Sequence, residues 1–272
     1  MRALYRSLAA FIAALSFALA PWQARADSAA VPVIQGLWWG GPQENGWGLI
    51  IIQHGDRVYC ALAVYDTIAH TTWFVAPNAT WNSNHTVIAG DAYWPRAADL
   101  DHYSAGSFDP GSSIGEISVQ LDPSGSAATM TYRLDVYSGT KTLVPLFGPI
   151  LPTGSDDHTD LWWGGPQENG WGVVIFQQGD NVFAFWLTYY GPNHGEPAWI
   201  LFQPGSKVSA STYAGSVARP FGPQWLGTTY SPQLLQSPND GTYTLTFDGP
   251  DRATLGYFAF VSGSLDLVRE PF

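Results

Sequence analysis

Apolar residues along the chain fall into short runs separated by turn residues, and this pattern predicts β-strands throughout. In the second half, turn signals recur about every eight to twelve residues, which is the spacing of an all-β sandwich or barrel. The predicted strands cover residues 161–163, 171–177, 182–190, 198–203, 211–219, 242–247, 253–261 and 265–268. No stretch shows a sustained helical period of about 3.6 residues flanked by caps, so helices are not expected.

Two tight turns show how neighbouring strands are connected. Gly55-Asp56 and Gly179-Asp180 each separate two apolar runs, and a Gly-Asp pair in this position predicts a hairpin of antiparallel strands. A unit of about eight short strands in hairpin order can hide its edges by closing into an up-and-down barrel. We therefore predict an all-β fold of antiparallel barrels.

A run of twelve residues, LWWGGPQENGWG, occurs twice without change, at residues 37–48 and 161–172; we call these copies the first motif and the second motif. Identity extends to 18 of 30 positions between residues 37–66 and 161–190. The offset of 124 residues is far longer than the ~20–50 residues of a solenoid repeat. The chain is therefore predicted to be a tandem duplication, with one barrel of about eight strands in each half.

The predicted organisation has four parts. Residues 1–26 combine a basic start, an apolar stretch too short to span a bilayer and an Ala-Arg-Ala cleavage pattern, which predicts a signal peptide cleaved after Ala26. We expect a secreted or periplasmic protein without a membrane anchor. A first barrel unit is predicted at residues 27–147, a linker rich in turn and charged residues at 148–160, and a second unit at 161–272.

Charge and cysteine content narrow the range of partners. Three of the eleven Lys and Arg residues lie in the predicted signal peptide, which leaves eight basic against 22 acidic residues, a formal net charge of −14. Because an acidic surface repels phosphate groups and anionic lipids, nucleic acid and membranes are not expected as partners. Cys60 is the sole cysteine, so no intrachain disulfide can form, and its apolar surroundings predict a buried, unreactive thiol.

Two resemblances bear on the fold. Gly36-Leu37-Trp38 resembles the Gly-x-Trp start of the calycin superfamily, whose avidin and lipocalin type members are β-barrels, and the unit length and Trp content are similar to avidin-like domains. The second copy has Asp160 in place of the glycine, and no biotin-contacting pattern is present. The longer run Trp-Trp-x-x-Pro-x-Glu-Asn-Gly-Trp-Gly resembles a repeat of secreted bacterial proteins. These resemblances imply architecture and no activity.

The motif has two possible roles. In one, Trp38, Trp39 and Trp47 plug one end of the barrel, and Glu44 accepts hydrogen bonds from unpaired backbone N–H groups of the turn. In the other, Trp and Glu side chains line a mouth in which a ligand stacks on indole and hydrogen-bonds to carboxylate, with one site in each unit. The candidate ligand-binding residues are Trp38, Trp39, Glu44, Trp47, Trp73, Trp162, Trp163, Glu168, Trp171 and Trp199. An eight-stranded barrel can be filled by side chains or hold one small ligand, so both roles stay open.

These observations favour a secreted binding protein for a glycan or a small hydrophobic or aromatic molecule. A glycoside or ester hydrolase is an alternative, in which Glu44 and Glu168 would form a carboxylate pair roughly 5–10 Å apart. A purely structural or protein-interaction module is another. No cofactor is expected, and no metal site either, because the six His residues lack the spacing of metal-binding motifs.

Overall fold

The computed structural model describes residues 30–148, 157–190 and 195–271. Within these ranges, sixteen strands form two closed antiparallel barrels of eight strands each, and helix is limited to short 3₁₀ turns. The predicted all-β fold with two tandem barrels is confirmed, and it has the architecture that the calycin resemblance implies; kinship with that family stays a prediction. The predicted signal peptide and most of the predicted linker lie outside the described residues.

Consecutive strands pair in each barrel, and the last strand closes on the first. The first barrel comprises β1 (Gly36–Trp39), β2 (Gly48–His54), β3 (Arg57–Tyr65), β4 (Thr71–Trp81), β5 (Val87–Ala92), β6 (Gly115–Leu121), β7 (Ala128–Leu134) and β8 (Tyr137–Pro145). The second comprises β9 (Asp160–Trp163), β10 (Gly172–Gln178), β11 (Asn181–Tyr189), β12 (Pro197–Lys207), β13 (Thr212–Ala218), β14 (Asn239–Phe247), β15 (Arg252–Phe258) and β16 (Ser262–Arg269). Every strand predicted for the second half is present, and the Gly-Asp turns join β2 to β3 and β10 to β11.

Large side chains fill the interior of the second barrel. Trp186 on β11 contacts Tyr257 on β15, with ring centroids 4.9 Å apart, and Phe202 on β12 stacks on Tyr243 of β14 at 4.7 Å. Because these strands belong to different parts of the barrel wall, the rings meet across its interior. Of the two states open to an eight-stranded barrel, these contacts favour an interior filled by side chains.

Three neighbouring strands of each barrel, β2–β4 and β10–β12, are buried on both faces over much of their length. Since successive side chains of a strand point to opposite faces, one set of side chains fills the strand's own barrel and the other set packs against the other barrel. Trp73 on β4 donates its indole N–H to the carbonyl of Thr188, and Trp199 on β12 donates to the carbonyl of Val64, both at 3.0 Å. The reciprocal bonds show that the barrels pack side by side with approximate two-fold symmetry.

A long segment without regular strands follows the fifth strand of each barrel; we call residues 93–114 arm 1 and residues 219–238 arm 2. Each arm reaches the opposite barrel. In arm 2, the backbone N–H groups of Trp225 and Leu226 donate to the carbonyl of Tyr65 at 3.2 and 3.3 Å. The Trp225 ring lies 5.3 Å from Trp47 and 4.8 Å from Tyr132, so arm 2 supplies a ring that packs on the first barrel. These arms were not predicted from the sequence.

Cys60 lies in β3 and is buried. Burial raises the pKa of its thiol to about 12, so the reactive thiolate is not populated at neutral pH. This environment agrees with the prediction that the Cys60 thiol is buried and unreactive.

Candidate functional site

Both copies of the motif have the same backbone path. The first residues belong to β1 or β9, the Pro-Gln-Glu segment forms a 3₁₀ turn at Pro42–Glu44 and Pro166–Glu168, and the closing glycine begins β2 or β10. Proline is favoured at the start of such a turn because its φ angle is already fixed near the helical value. The identical sequence thus folds identically in the two barrels.

The motif glutamates hold the third tryptophan of each run. Glu44 Oε2 accepts a hydrogen bond from the Trp47 indole at 3.1 Å, and Glu168 Oε2 accepts one from Trp171 at 3.1 Å. Lys141 also places its ammonium group 2.7 and 2.8 Å from the two oxygens of Glu44. Within the described residues, Glu44 therefore bonds to an indole and an ammonium group, which corrects the expectation that it accepts turn N–H groups.

The second motif lacks the lysine. Leu265 occupies the position equivalent to Lys141, so Glu168 keeps the indole bond without that ion pair. Each glutamate is bound within its own motif, and no contact among the described residues joins the two into the carboxylate pair that the hydrolase alternative requires. The geometry shown here gives that alternative no support.

Most of the predicted site tryptophans lie in the packed interior of the molecule. Six are almost fully buried, with exposed fractions of 0 to 5%: Trp38, Trp47, Trp73, Trp162, Trp171 and Trp199. Trp38 and Trp162 donate their indole N–H groups to backbone carbonyls at 2.9 and 3.0 Å. The two remaining motif tryptophans, Trp39 and Trp163, are partly exposed, so they are the predicted site tryptophans whose rings reach solvent.

The Asn-Gly pair of each motif receives tyrosines from both barrels. Tyr65 donates its hydroxyl to the carbonyl of Gly46 at 2.9 Å within the first barrel, while Tyr230 of arm 2 donates to the carbonyl of Asn45 at 2.9 Å. The second motif repeats this arrangement. Tyr189 donates its hydroxyl to the carbonyl of Gly170 at 2.7 Å, and Tyr103 of arm 1 donates its hydroxyl to the carbonyl of Asn169.

Contact with the arms also explains the glycine of this pair. Gly46 has a φ of +118°, and a Cβ atom there would lie 2.6 Å from the Tyr230 hydroxyl oxygen and 2.7 Å from Leu235. Gly170 has a φ of +121°, and a Cβ atom would overlap the Phe108 ring. The unchanged run is therefore, in each barrel, the surface on which the arm of the other barrel docks.

A cleft opens between the second motif and the outer face and arm of the first barrel, and we call it the large cleft. Its volume is about 590 Å³. Its floor contains the buried rings of Trp73 and Trp171. Partly exposed aromatic side chains and polar side chains line its walls: Tyr59, Tyr93, Phe108, Trp163, Asn78, Asn169 and Glu270.

The equivalent cleft between the first motif and the second barrel is smaller, about 280 Å³, and we call it the small cleft. Trp39 lies in it at the position that Trp163 has in the large cleft. Phe183 replaces Tyr59, and Leu146 replaces Glu270. Two hydrophobic side chains thus stand where the large cleft has a hydroxyl and a carboxylate.

The large cleft includes residues that the motif alone could not indicate. Tyr59, Tyr93 and Phe108 come from the first barrel, whereas Glu270 follows the last strand of the second. Among the described residues that line this cleft, Glu270 is the single one with a charged side chain. Burial, and secondarily the nearby Asp160 carboxylate, raise the pKa of Glu270 above its ordinary value.

No group of three or more His, Cys, Asp or Glu side chains in the described part of the chain is arranged to hold a metal ion. The helices of the described residues include none with the length and apolar character needed to cross a membrane. Comparisons with protein-family models, with curated proteins and with solved structures gave no match for this chain.

Proposed function

We propose that this tandem-barrel protein is a binding protein that holds a glycan in the large cleft. The observation that carries the proposal is a partly exposed tryptophan, Trp163, in an aromatic cleft of about 590 Å³. Ligand pockets commonly measure roughly 300–1,000 Å³, and the small cleft, at about 280 Å³, falls below this range. The large cleft is therefore the better site.

The wall chemistry suits a sugar. The electron-rich face of an indole or phenol ring attracts the C–H groups on one face of a sugar ring, and Trp163, Tyr59 and Tyr93 supply such rings. Asn78 and Asn169 supply amide groups for sugar hydroxyls. No Lys or Arg is among the described residues lining the cleft, so an anionic ligand finds no counter-charge there.

Binding fits this site better than hydrolysis. A glycosidase of the usual kind needs two carboxyl groups flanking the scissile bond, and the described lining of the large cleft contains a single carboxylate, Glu270. Glu44 and Glu168 are not among the lining residues of either cleft. The other predicted ligand class, small hydrophobic or aromatic molecules, would use the same aromatic walls.

The pseudo-symmetry of the chain supplies a matched control for the test. Soluble oligosaccharides are titrated calorimetrically into the wild type, Trp163→Ala and Trp39→Ala, since the two tryptophans occupy equivalent places in the two clefts. Loss of a stacking platform is expected to weaken binding roughly tenfold or more in Trp163→Ala and to leave Trp39→Ala close to wild type. Equal affinity in all three proteins, or conversion of the sugar to products, would overturn the proposal.

A further inference from the structure

We infer that the glycan accepted by the large cleft carries amino groups, and that Glu270 selects it. This inference rests on the proposed function, because it specifies the ligand class of the same cleft. The ligand would be an amino sugar whose ammonium group lies beside the Glu270 carboxylate and against neighbouring aromatic rings. An N-acetylated or neutral sugar could stack on the same rings, but it would offer the carboxylate only neutral donors, hydroxyls or an amide N–H, and no opposite charge.

The backbone positions of Glu270 and its counterpart in the small cleft are equivalent. The N–H of Glu270 donates to the carbonyl of Leu161 at 2.9 Å, and the N–H of Leu146 donates to the carbonyl of Leu37 at 2.7 Å. Both residues follow the last strand of their barrel. The two clefts therefore differ at this point by a side chain alone, a carboxylate in one and an isobutyl group in the other.

The basic groups near Glu270 bond to other side chains and carbonyls, and of these groups His54 also acts electrostatically on Glu270, where it lowers the pKa against the larger effect of burial. Arg269 directs Nη1 to Asp160 Oδ2 at 3.0 Å and donates its other N–H groups to backbone carbonyls. His54 Nε2 lies 3.0 Å from Asp160 Oδ1. Asp160 is 4% exposed, and its two carboxylate oxygens bond to these two partners. Among the described residues, no hydrogen-bond or ion-pair partner is found for the side-chain carboxylate of Glu270.

An unpaired, partly buried carboxylate is costly to keep ionised unless a cation approaches it. The raised pKa of Glu270 agrees with this environment. Glu270 also contributes to the raised pKa of Tyr59, after burial and Cys60, so the carboxylate and the phenol ring influence each other within the cleft. Aromatic faces attract ammonium groups within about 6 Å of the ring centre. A carboxylate combined with partly exposed rings is therefore a site for an ammonium group.

The net negative charge of the whole chain also favours a cationic ligand. The formal net charge is −11 over all 272 residues. A negative field raises the local concentration of cationic ligands and speeds their association at low ionic strength. An acidic surface alone would attract any cation, so the selectivity must come from the cleft, and the experiment has to separate these contributions.

The test compares fully deacetylated glucosamine oligomers with N-acetylated oligomers of equal length, at a pH at which the Glu270 carboxyl, whose pKa is raised, is ionised and the sugar amine is protonated. Wild type, Glu270→Gln and Glu116→Gln are titrated with both probes; Glu116 is an exposed carboxylate of β6 outside the cleft. Wild type and Glu116→Gln are expected to bind the deacetylated oligomer roughly tenfold more tightly. Glu270→Gln should lose that preference and keep its affinity for the acetylated oligomer.

The outcomes distinguish the inference from the proposed function. Equal binding of both oligomers by the wild type, unchanged in Glu270→Gln, would overturn the inference and leave the glycan site standing. A preference for the deacetylated oligomer that persists in Glu270→Gln would also overturn it, since the attraction would then come from the general negative charge. No binding of either oligomer would overturn both proposals for these sugars. Melting temperatures of the variants confirm that each one is folded.

Discussion

At the scale of single residues, the motif keeps an Asn-Gly pair because another part of the chain lies directly over it. Gly46 and Gly41 both adopt positive φ angles, +118° and +80°. A Cβ atom on Gly46 would collide with Tyr230 and Leu235 of arm 2, whereas a Cβ on Gly41 would meet nothing within 4 Å. An alanine at Gly41 would therefore strain the backbone alone, whereas an alanine at Gly46 would also collide with arm 2.

We predict that Gly46→Ala destabilises the protein more than Gly41→Ala does. Both substitutions carry the strain of a positive φ angle, about 1–3 kcal/mol, but Gly46→Ala must also displace the arm. The free energies of unfolding, measured by denaturant titration of the two variants, check this prediction. A Gly41→Ala variant that is as destabilised as Gly46→Ala would contradict this prediction.

Glu270 gives a prediction on pH dependence. Because its folded pKa is raised by burial and by Asp160, the folded state retains the proton to a higher pH than the unfolded chain does. Stability is therefore lost as pH rises from the ordinary pKa of a glutamate through the raised one. The charged or titratable groups around Glu270 include His54, Tyr59 and Arg269 besides Asp160, and all remain in Glu270→Gln.

Glu270→Gln should consequently match the wild type in melting temperature at acid pH and exceed it at neutral pH. Thermal melts of both proteins across this range measure the difference directly. A Glu270→Gln variant that is less stable than wild type at neutral pH would mean that the carboxylate has a stabilising partner in the fold.

At the scale of elements, local patterns predicted the strands well. The predicted segments of the second half, from residues 161–163 to 265–268, all correspond to strands, because alternating apolar residues and Gly-Asp turns act within a few neighbouring positions. Strand β12 continues to Lys207, beyond the predicted end at Gln203, with a register irregularity between Phe202 and Ser206 in its pairing with β13. Such an irregularity interrupts the alternation that sequence analysis relies on.

The arms and the interface between the barrels were not predicted, because they depend on residues far apart in the chain. The sequence nevertheless contained a signal of the interface. The runs Ala61–Val64 and Val173–Phe176 are apolar at every position, whereas a strand with one face in water alternates. Continuous apolar runs in both units indicate strands covered on both faces. The length of the strand-free segments, residues 93–114 and 219–238, was a second signal.

The candidate site could be predicted in part. Trp163 and Trp39 of the motif do line clefts, but the repeated run contains no information about which of its tryptophans reach solvent. Tyr59, Tyr93 and Phe108 lie outside the run and meet the second motif only because the barrels pack together. The substitution of Leu146 by a glutamate at the equivalent position was visible in the duplicated sequence.

At the scale of the whole molecule, the two barrels interlock. The indoles of Trp73 and Trp199 each donate to the opposite barrel. The Tyr230 hydroxyl in arm 2 bonds to Asn45 of the first motif, and a contact of 3.0 Å between His54 Nε2 and Asp160 Oδ1 also joins the two halves. If one barrel unfolded alone, side chains of the other barrel that are now buried would become exposed, and polar groups at the interface would lose their hydrogen-bond partners, which is costly.

We therefore predict that heating unfolds both barrels in one cooperative transition. Differential scanning calorimetry should give a single peak whose calorimetric enthalpy equals the van't Hoff enthalpy. Two resolved transitions, or a calorimetric enthalpy near twice the van't Hoff value, would show that the barrels unfold independently in spite of their shared interface.

The measurement that tests the central claim most directly is the number of glycan sites per chain. The duplicated motif taken alone predicts two sites, whereas the unequal clefts, about 590 and 280 Å³, predict one. Calorimetric titration of the wild type with a bound oligosaccharide should therefore saturate at one site per chain, and Trp163→Ala should weaken binding at that site roughly tenfold or more. Saturation at two equivalent sites, or one site whose affinity is unchanged in Trp163→Ala, would contradict the account.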